Sequence, residues 1–121
     1  MNFVIIKPEI SQEEFLRHLI EQFPAIRSEV EDEDYQGLIY LQIVCLTRYT
    51  NTCVAAGRID EVRRVLDFFH QTVEKVDSTT ENALYVSFLE YLELDANSEN
   101  SQDAKRLLKP KYLDIYKQLR R

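Results

Sequence analysis

Residues that turn a chain are scarce here: 121 residues hold two glycines, Gly37 and Gly57, and three prolines. A β fold with many tight turns needs more of both, so that class is excluded first. The same scarcity leaves no glycine-rich loop to cradle phosphate or a dinucleotide, and there is no Gly-x-Ser-x-Gly nucleophile elbow. The longest uncharged stretch in the middle of the chain runs thirteen residues, from Tyr35 to Thr47, against about 20 for a membrane span. The opening Met1-Asn2-Phe3-Val4-Ile5-Ile6 is apolar but lacks the basic region and small-residue cleavage site of a signal peptide. It is therefore read as part of the mature fold, within an extended segment over residues 1–10, and the protein is expected in the cytoplasm. Cysteine is limited to Cys45 and Cys53. On one helix, with about 1.5 Å rise per residue, their Cα atoms lie ~12 Å apart, beyond disulfide reach. Both are expected as reduced core thiols. Basic charge is also short: 15 Lys and Arg against 21 Asp and Glu give a net charge of −6, the reverse of a nucleic-acid binder's footprint.

What remains, 45% apolar and 30% charged residues, suits one globular core, and helical periodicity runs through it. Ser11 and Glu14 form a capping box, and Ile10 with Phe15 makes a hydrophobic staple, so a helix starts at Ser11. Phe15, Leu16, Leu19, Ile20 and Phe23 line its apolar face, and Pro24 ends it or opens a further turn. From Tyr35 to Ala56 the chain is apolar nearly all round, with Leu38, Leu41, Cys45, Leu46, Tyr49 and Cys53 on one stripe; this is expected to be the central helix. Gly57 is placed as a left-handed C′ residue, and Asp60-Glu61 load the start of the next helix, making a hairpin. Val62, Val65, Leu66, Phe69, Val73 and Val76 mark a third helix ending near Asp77. A second capping box, Ser78 to Glu81, opens a fourth helix that runs to about Leu94. Residues 95–102 read as a polar loop, a short helix follows over 103–108, and Pro110 begins a basic C-terminal helix over 110–121. The expected fold is all-α, a single domain of about five or six helices, without a second copy of the hairpin to make a repeat array.

No constellation of residues carries chemistry by its spacing. Asp95, Asn97, Glu99 and Ser101 alternate as in a calcium loop, but Asn100 stands where glycine is needed and Arg106 where the last carboxylate ligand belongs. Asp67-x-x-His70 has the spacing of a di-iron ligand pair, yet His18 has its glutamate, Glu14, four residues before it rather than three, so no second pair exists. Neither a metal nor another cofactor is expected. Cys45 on an apolar helix is expected to have a raised pKa and to be inert, even as a spatial neighbour of His70. Glu90 and Glu93, three apart, read as a solvated helix face before they read as a general acid and base. The chain is not expected to be an enzyme.

Charge is unevenly laid out. Residues 1–104 hold 20 acidic and 8 basic side chains, a net of −12, whereas residues 105–121 hold one acidic and seven basic, a net of +6. The cationic end can neutralise the body by folding back, and an acidic exterior also serves solubility. The sharper reading makes an acidic face, built from Glu29, Glu31, Asp32, Glu33 and Asp34 with Glu90, Glu93, Asp95 and Glu99, the docking surface for a basic protein partner. Of seven tyrosines, Tyr35 and Tyr91 fall off the main apolar stripes and are expected as exposed anchors; Tyr49, Tyr85 and Tyr112 fit the edge of the core.

Ala56-Gly57-Arg58-Ile59-Asp60-Glu61-Val62 and Asn82-Ala83-Leu84-Tyr85-Val86-Ser87-Phe88-Leu89-Glu90-Tyr91-Leu92 together resemble a family of small, uncharacterised, all-helical bacterial proteins, over roughly residues 35–119. The architecture also resembles that of helical immunity proteins from contact-dependent growth inhibition systems, which bind a secreted toxin domain, often a nuclease, and block its active site. The resemblance implies a cytoplasmic immunity protein that neutralises a cognate toxin, a basic nuclease domain, without chemistry of its own; it transfers no contact residue. The alternatives are a helical adaptor or regulatory subunit working through apolar grooves, and a metal- or carboxylate-dependent hydrolase.

Overall fold

Ser11 starts the first helix of the computed structural model, which describes residues 9–121; the extended reading of residues 1–8 falls outside them. The Ser11 hydroxyl accepts the Glu14 N–H at 3.1 Å and α1 spans Gln12–Gln22. Phe15 and Leu19 are fully buried along it. Pro24 opens a 3-10 turn, Pro24–Ile26, that leads into a single turn of helix, α2 (Arg27–Val30). Asp32 then caps a second 3-10 turn, Glu33–Tyr35, by accepting the Asp34 N–H at 2.8 Å.

The central helix, α3, is Ile39–Ala55, four residues shorter at its start than expected. Gly37 adopts φ +76°, a left-handed turn that costs an L side chain about 1–2 kcal/mol and that breaks any helix running through it. At the other end Gly57 is left-handed as expected, φ +72°. Its N–H donates to the Val54 carbonyl at 3.1 Å and the Arg58 N–H to the Cys53 carbonyl at 2.9 Å, a Schellman motif that satisfies two of the helix's last carbonyls. The chain reverses into α4 (Ile59–Thr72), completing the hairpin.

Val62, Val65, Leu66 and Phe69 are buried as expected. The helix itself stops at Thr72, and Val73 and Val76 reach the core from the turn that follows. The next cap is Asp77 rather than Ser78: its carboxylate accepts the Thr80 N–H at 2.7 Å. Helix α5 (Ser78–Ala83) then widens into a π-turn, Leu84–Phe88, and tightens into a 3-10 turn, Leu89–Tyr91, so the expected fourth helix is three geometries in succession. This composite element runs parallel to α3, tied at Tyr40–Asn82, Thr47–Ser87 and Asn51–Tyr91. The Thr47 hydroxyl donates to the Ser87 carbonyl at 2.7 Å, which occupies an acceptor in the widened stretch.

The polar loop is shorter than expected. Ser98 caps a helix, α6 (Glu99–Arg106), through the Ser101 N–H at 3.2 Å, so its second half is helical. Helix α7 (Pro110–Leu119) carries Pro110 in its first turn. There are thus seven α-helices among the described residues, two of them of four and six residues, against the five or six expected, and the all-α class holds with no strand.

One apolar core joins these elements. Phe15 and Phe23 pack on Phe68 at 5.5 and 5.6 Å between ring centres, and Phe69 meets Phe88 at 5.3 Å and Tyr112 at 5.0 Å. Each such ring removes enough surface from water to stabilise the fold by about 2–3 kcal/mol, with about 1 kcal/mol more from each well-placed pair. Cys45 and Cys53 are both buried and unbridged. No described helix is long and apolar enough to cross a membrane.

Candidate functional site

The buried side of α3 is centred on Ile39, Ile43, Leu46 and Cys53, with Gln42, Thr47 and Thr50 buried beside them. That leaves the opposite side outward, and two residues expected in the core lie there: Leu38 is 48% and Leu41 43% exposed. Tyr40 is 38% exposed, its hydroxyl accepting a bond from Asn82 Nδ2 at 2.9 Å. Val44, one turn after Leu41, is half-buried. The strip is floored by helix α3 and bounded on one side by the parallel α5 element. At its far end Asn51 receives Tyr91: the Asn51 amide donates to the Tyr91 carbonyl at 2.9 Å and accepts the Glu93 N–H at 2.9 Å. The Tyr91 side chain is 61% exposed, as expected of an anchor. Tyr35, also expected to be exposed, is half-buried and packs against the core, because the Asp32-capped turn folds it inward.

On the other side of the strip lies the acidic edge. Gln42 Nε2 donates to the Val30 carbonyl at 3.3 Å, and Arg48 pairs with Glu29 at 3.0 Å, so α2 is tied to α3 and brings Glu31, Asp32, Glu33 and Asp34 with it. All four are exposed. Glu31 is paired with Arg27 at 3.2 Å and Asp32 is used as a cap, whereas Glu33 and Asp34 make no ion pair among the described residues. The structure therefore places residues 31–34 beside the exposed patch of Leu38, Tyr40 and Leu41, and Tyr91 with Glu93 at the far end of the same face, with exposed Arg48 on α3 between.

Asp95 and Glu99 do not join them. Asp95 is held by Lys105 at 2.6 Å and faces Arg120 at 3.4 Å; the Lys105 hydrogen bond, against some desolvation, keeps its carboxyl below the ordinary range. Glu99 sits in the first turn of α6, where the helix dipole favours it. Glu90 is half-buried, and its carbonyl accepts Arg120 Nη1 at 2.6 Å. Glu90 and Glu93 stand in and after a 3-10 turn rather than one helical turn apart, so they share no helix face.

Helix α7 folds back on the body, as the charge layout suggests. Besides meeting Asp95 and Glu90, Arg120 lies over the Tyr116 ring at 5.0 Å, and Lys111 pairs with Glu74. The fully buried Tyr116 hydroxyl donates to the Leu92 carbonyl at 2.9 Å and accepts the Leu94 N–H at 3.3 Å. At the start of α7, the Lys109 N–H donates to His70 Nε2 at 3.2 Å, so this nitrogen is an acceptor and the imidazole is neutral. Burial, and then the Lys109 charge, lower the His70 pKa against a smaller opposing pull from Asp67.

Cys45, Cys53, Tyr49 and Glu61 are each held within the packing between helices. Burial raises the thiols of Cys45 and Cys53, outweighing the nearby arginines Arg48 and Arg58. Half-buried Tyr49 is pushed up to about 12, by desolvation first and then by its hydrogen bond to Glu61. Glu61 also takes Arg64, and its pKa is lowered because these partners outweigh its own desolvation. Among the described residues, no group of three or more His, Cys, Asp or Glu side chains could hold a metal ion. The calcium-like spacing dissolves for a plain reason: Glu99 and Ser101 belong to α6 and Asp95 to the Lys105 pair.

Sequence reasoning missed the exposed strip because α3 is apolar all round and its threonines mislead. Thr47 and Thr50 hide in the core by donating to carbonyls, Thr47 to Ser87 and Thr50 to Leu46 one turn back, each at 2.7 Å. The available signal was Gly37, which sets where α3 starts and hence which residues lead its outer face.

Neither a curated protein nor a solved structure matches this chain. The model of one family, described as a domain of unknown function (DUF7674), matches residues 16–121. That span covers every helix from the middle of α1 onward, and on it the chain belongs to the DUF7674 family.

Proposed function

We propose that this protein is a cytoplasmic immunity protein: it binds a cognate toxin, a basic nuclease domain, and neutralises it by covering the active site. The observation that carries the reading is the acidic edge at residues 31–34 standing beside exposed Leu38, Tyr40 and Leu41. A nuclease holds phosphates with cationic groups, and carboxylates set where phosphates would lie occupy the same groove. Apolar side chains at the centre supply affinity, and the carboxylates supply association rate and selectivity. Stable occlusion needs about 800 Å² from each partner.

Co-expression tests it. A toxin domain encoded beside this gene should lose its toxicity and co-purify with the protein; no complex and undiminished toxicity defeat the reading. The adaptor reading draws on the same exposed leucines without the charge, and salt separates the two. Binding that weakens tenfold or more between about 50 and 200 mM salt favours the charged partner, and binding that ignores salt favours the adaptor.

A further inference from the structure

A cleft opens between α1 and α2, lined by Leu16 and Ile20 from α1, Val30 from α2 and Gln42 from α3. Its volume is about 200 Å³, more than the ~150 Å³ that admits a benzene ring and less than the ~300 Å³ at which drug-sized sites begin. Gln42 is 3% exposed. Its Nε2 donates to the Val30 carbonyl at 3.3 Å, which fixes which end of the amide is the oxygen. That oxygen, Oε1, is buried without a hydrogen-bond partner, a cost to the fold that a ligand carrying a donor removes. Charge at the mouth is balanced: Glu13 and Arg17 stand one turn apart on α1, and Glu31 is paired with Arg27 at 3.2 Å. Gln36, the remaining lining residue, donates its amide to the carbonyls of Glu31 and Asp32 at 3.0 and 3.4 Å.

We propose that this cleft binds a small, uncharged ring compound of the indole class, its single N–H donating to Gln42 Oε1 and its ring lying against Leu16, Ile20 and Val30. An indole N–H is donor only, so it matches a buried group that can only accept. A hydroxyl or an amide would bring an acceptor as well, where Gln42 Nε2 is already given to Val30. Three aliphatic side chains offer a flat ring the apolar contact that fixes most small ligands, and one placed polar group orients it. The balanced mouth selects neither an anion nor a cation. Such a site needs no protein partner and is independent of the neutraliser reading.

Indole itself is the probe, titrated into the full chain and followed by amide chemical shifts. It should bind saturably with a Kd of about 1 mM or tighter, with shifts centred on residues 16–20, residues 30–31 and the Gln42 side-chain amide. The same ring without the donor, 1-methylindole, should bind the parent chain at least tenfold more weakly. Gln42→Met removes the acceptor, and the two compounds should then bind alike. Leu16→Ala trims a wall that is only half-buried; it should weaken both compounds while the preference for indole persists, and it keeps the test open if Gln42→Met fails to fold. No saturable shift below about 5 mM, shifts centred elsewhere, equal binding of the two compounds by the parent, or a preference that survives Gln42→Met overturns the proposal. Tighter binding by N-acetyltryptophanamide than by indole also overturns it, because the occupant is then a protein side chain.

Discussion

Replacing Tyr116 by Phe removes one oxygen from a fully buried site and leaves the ring, and the Arg120 guanidinium above it, in place. Two backbone groups lose a partner unequally. The Leu92 carbonyl keeps Arg120 Nη1 at 3.1 Å, whereas the Leu94 N–H loses the acceptor it has at 3.3 Å, and Leu94 is itself buried. An orphaned buried donor costs about 1–3 kcal/mol, and one carbonyl that retains a charged donor adds little. The Tyr116→Phe variant should therefore unfold about 1–3 kcal/mol more easily, which for a chain of this length lowers the melting temperature by about 3–15 °C. Urea titration with an unchanged slope measures the loss, and native-state hydrogen exchange at the Leu94 amide localises it, since residues 92–95 should open before the rest. A loss under about 0.5 kcal/mol, or a Leu94 amide as well protected as before, refutes the claim that this hydroxyl fastens α7 to the segment after Tyr91.

Further consequences follow from the caps, the turns and the His70 imidazole. His70 has a folded pKa below its ordinary 6.5, so its contribution is present above about pH 6.5 and drains away as pH falls toward the lowered value; His70→Asn should be less stable at neutral pH and flatter across that window in urea titrations. Asp77→Ala should cost about 1 kcal/mol of stability, and Ser78→Ala a few tenths, because Asp77 is the residue that caps α5. Gly57→Ala should cost about 1–2 kcal/mol through its left-handed backbone, with Asn100 Nδ2 having to yield from 3.2 Å. Gly37→Ala should show the backbone cost alone, since no atom lies within 4 Å of its added Cβ. Thermal melts of both glycine variants decide whether Asn100 adds anything.

Much of the fold was legible because its strongest signals are local. Ser11 with Glu14, Gly57 and Pro110 each fix a boundary through backbone chemistry that depends on a few neighbouring residues. The buried stripe of α4 was legible because charged residues punctuate it at a helical period. Failures came where two local choices were nearly equal. Asp77 and Ser78 are both good caps and only one can take the Thr80 N–H. In α3 no charged residue precedes Arg48, so apolar periodicity could not tell Leu38 and Leu41 from Ile39 and Ile43. At the candidate site the exposure of the carboxylates at 31–34 was legible because such a run cannot be buried, but its neighbours on α3 are chosen by packing. The fate of Asp95 depended on Lys105 and Arg120 arriving from two later helices, which no spacing within the segment encodes.

The π-turn at Leu84–Phe88 is one residue of extra chain accommodated within a helix. Five residues of π-turn sweep about the same angle as four of a regular helix, so a residue deleted there leaves whatever comes next near its present place around the axis. Tyr91 would stay near the end of the strip, whereas a residue deleted from the regular turn of α5 would swing it around the axis by about 100°. The outer rim is thus buffered against the loss of a residue at this one spot and open to any change of length in the regular turns before it.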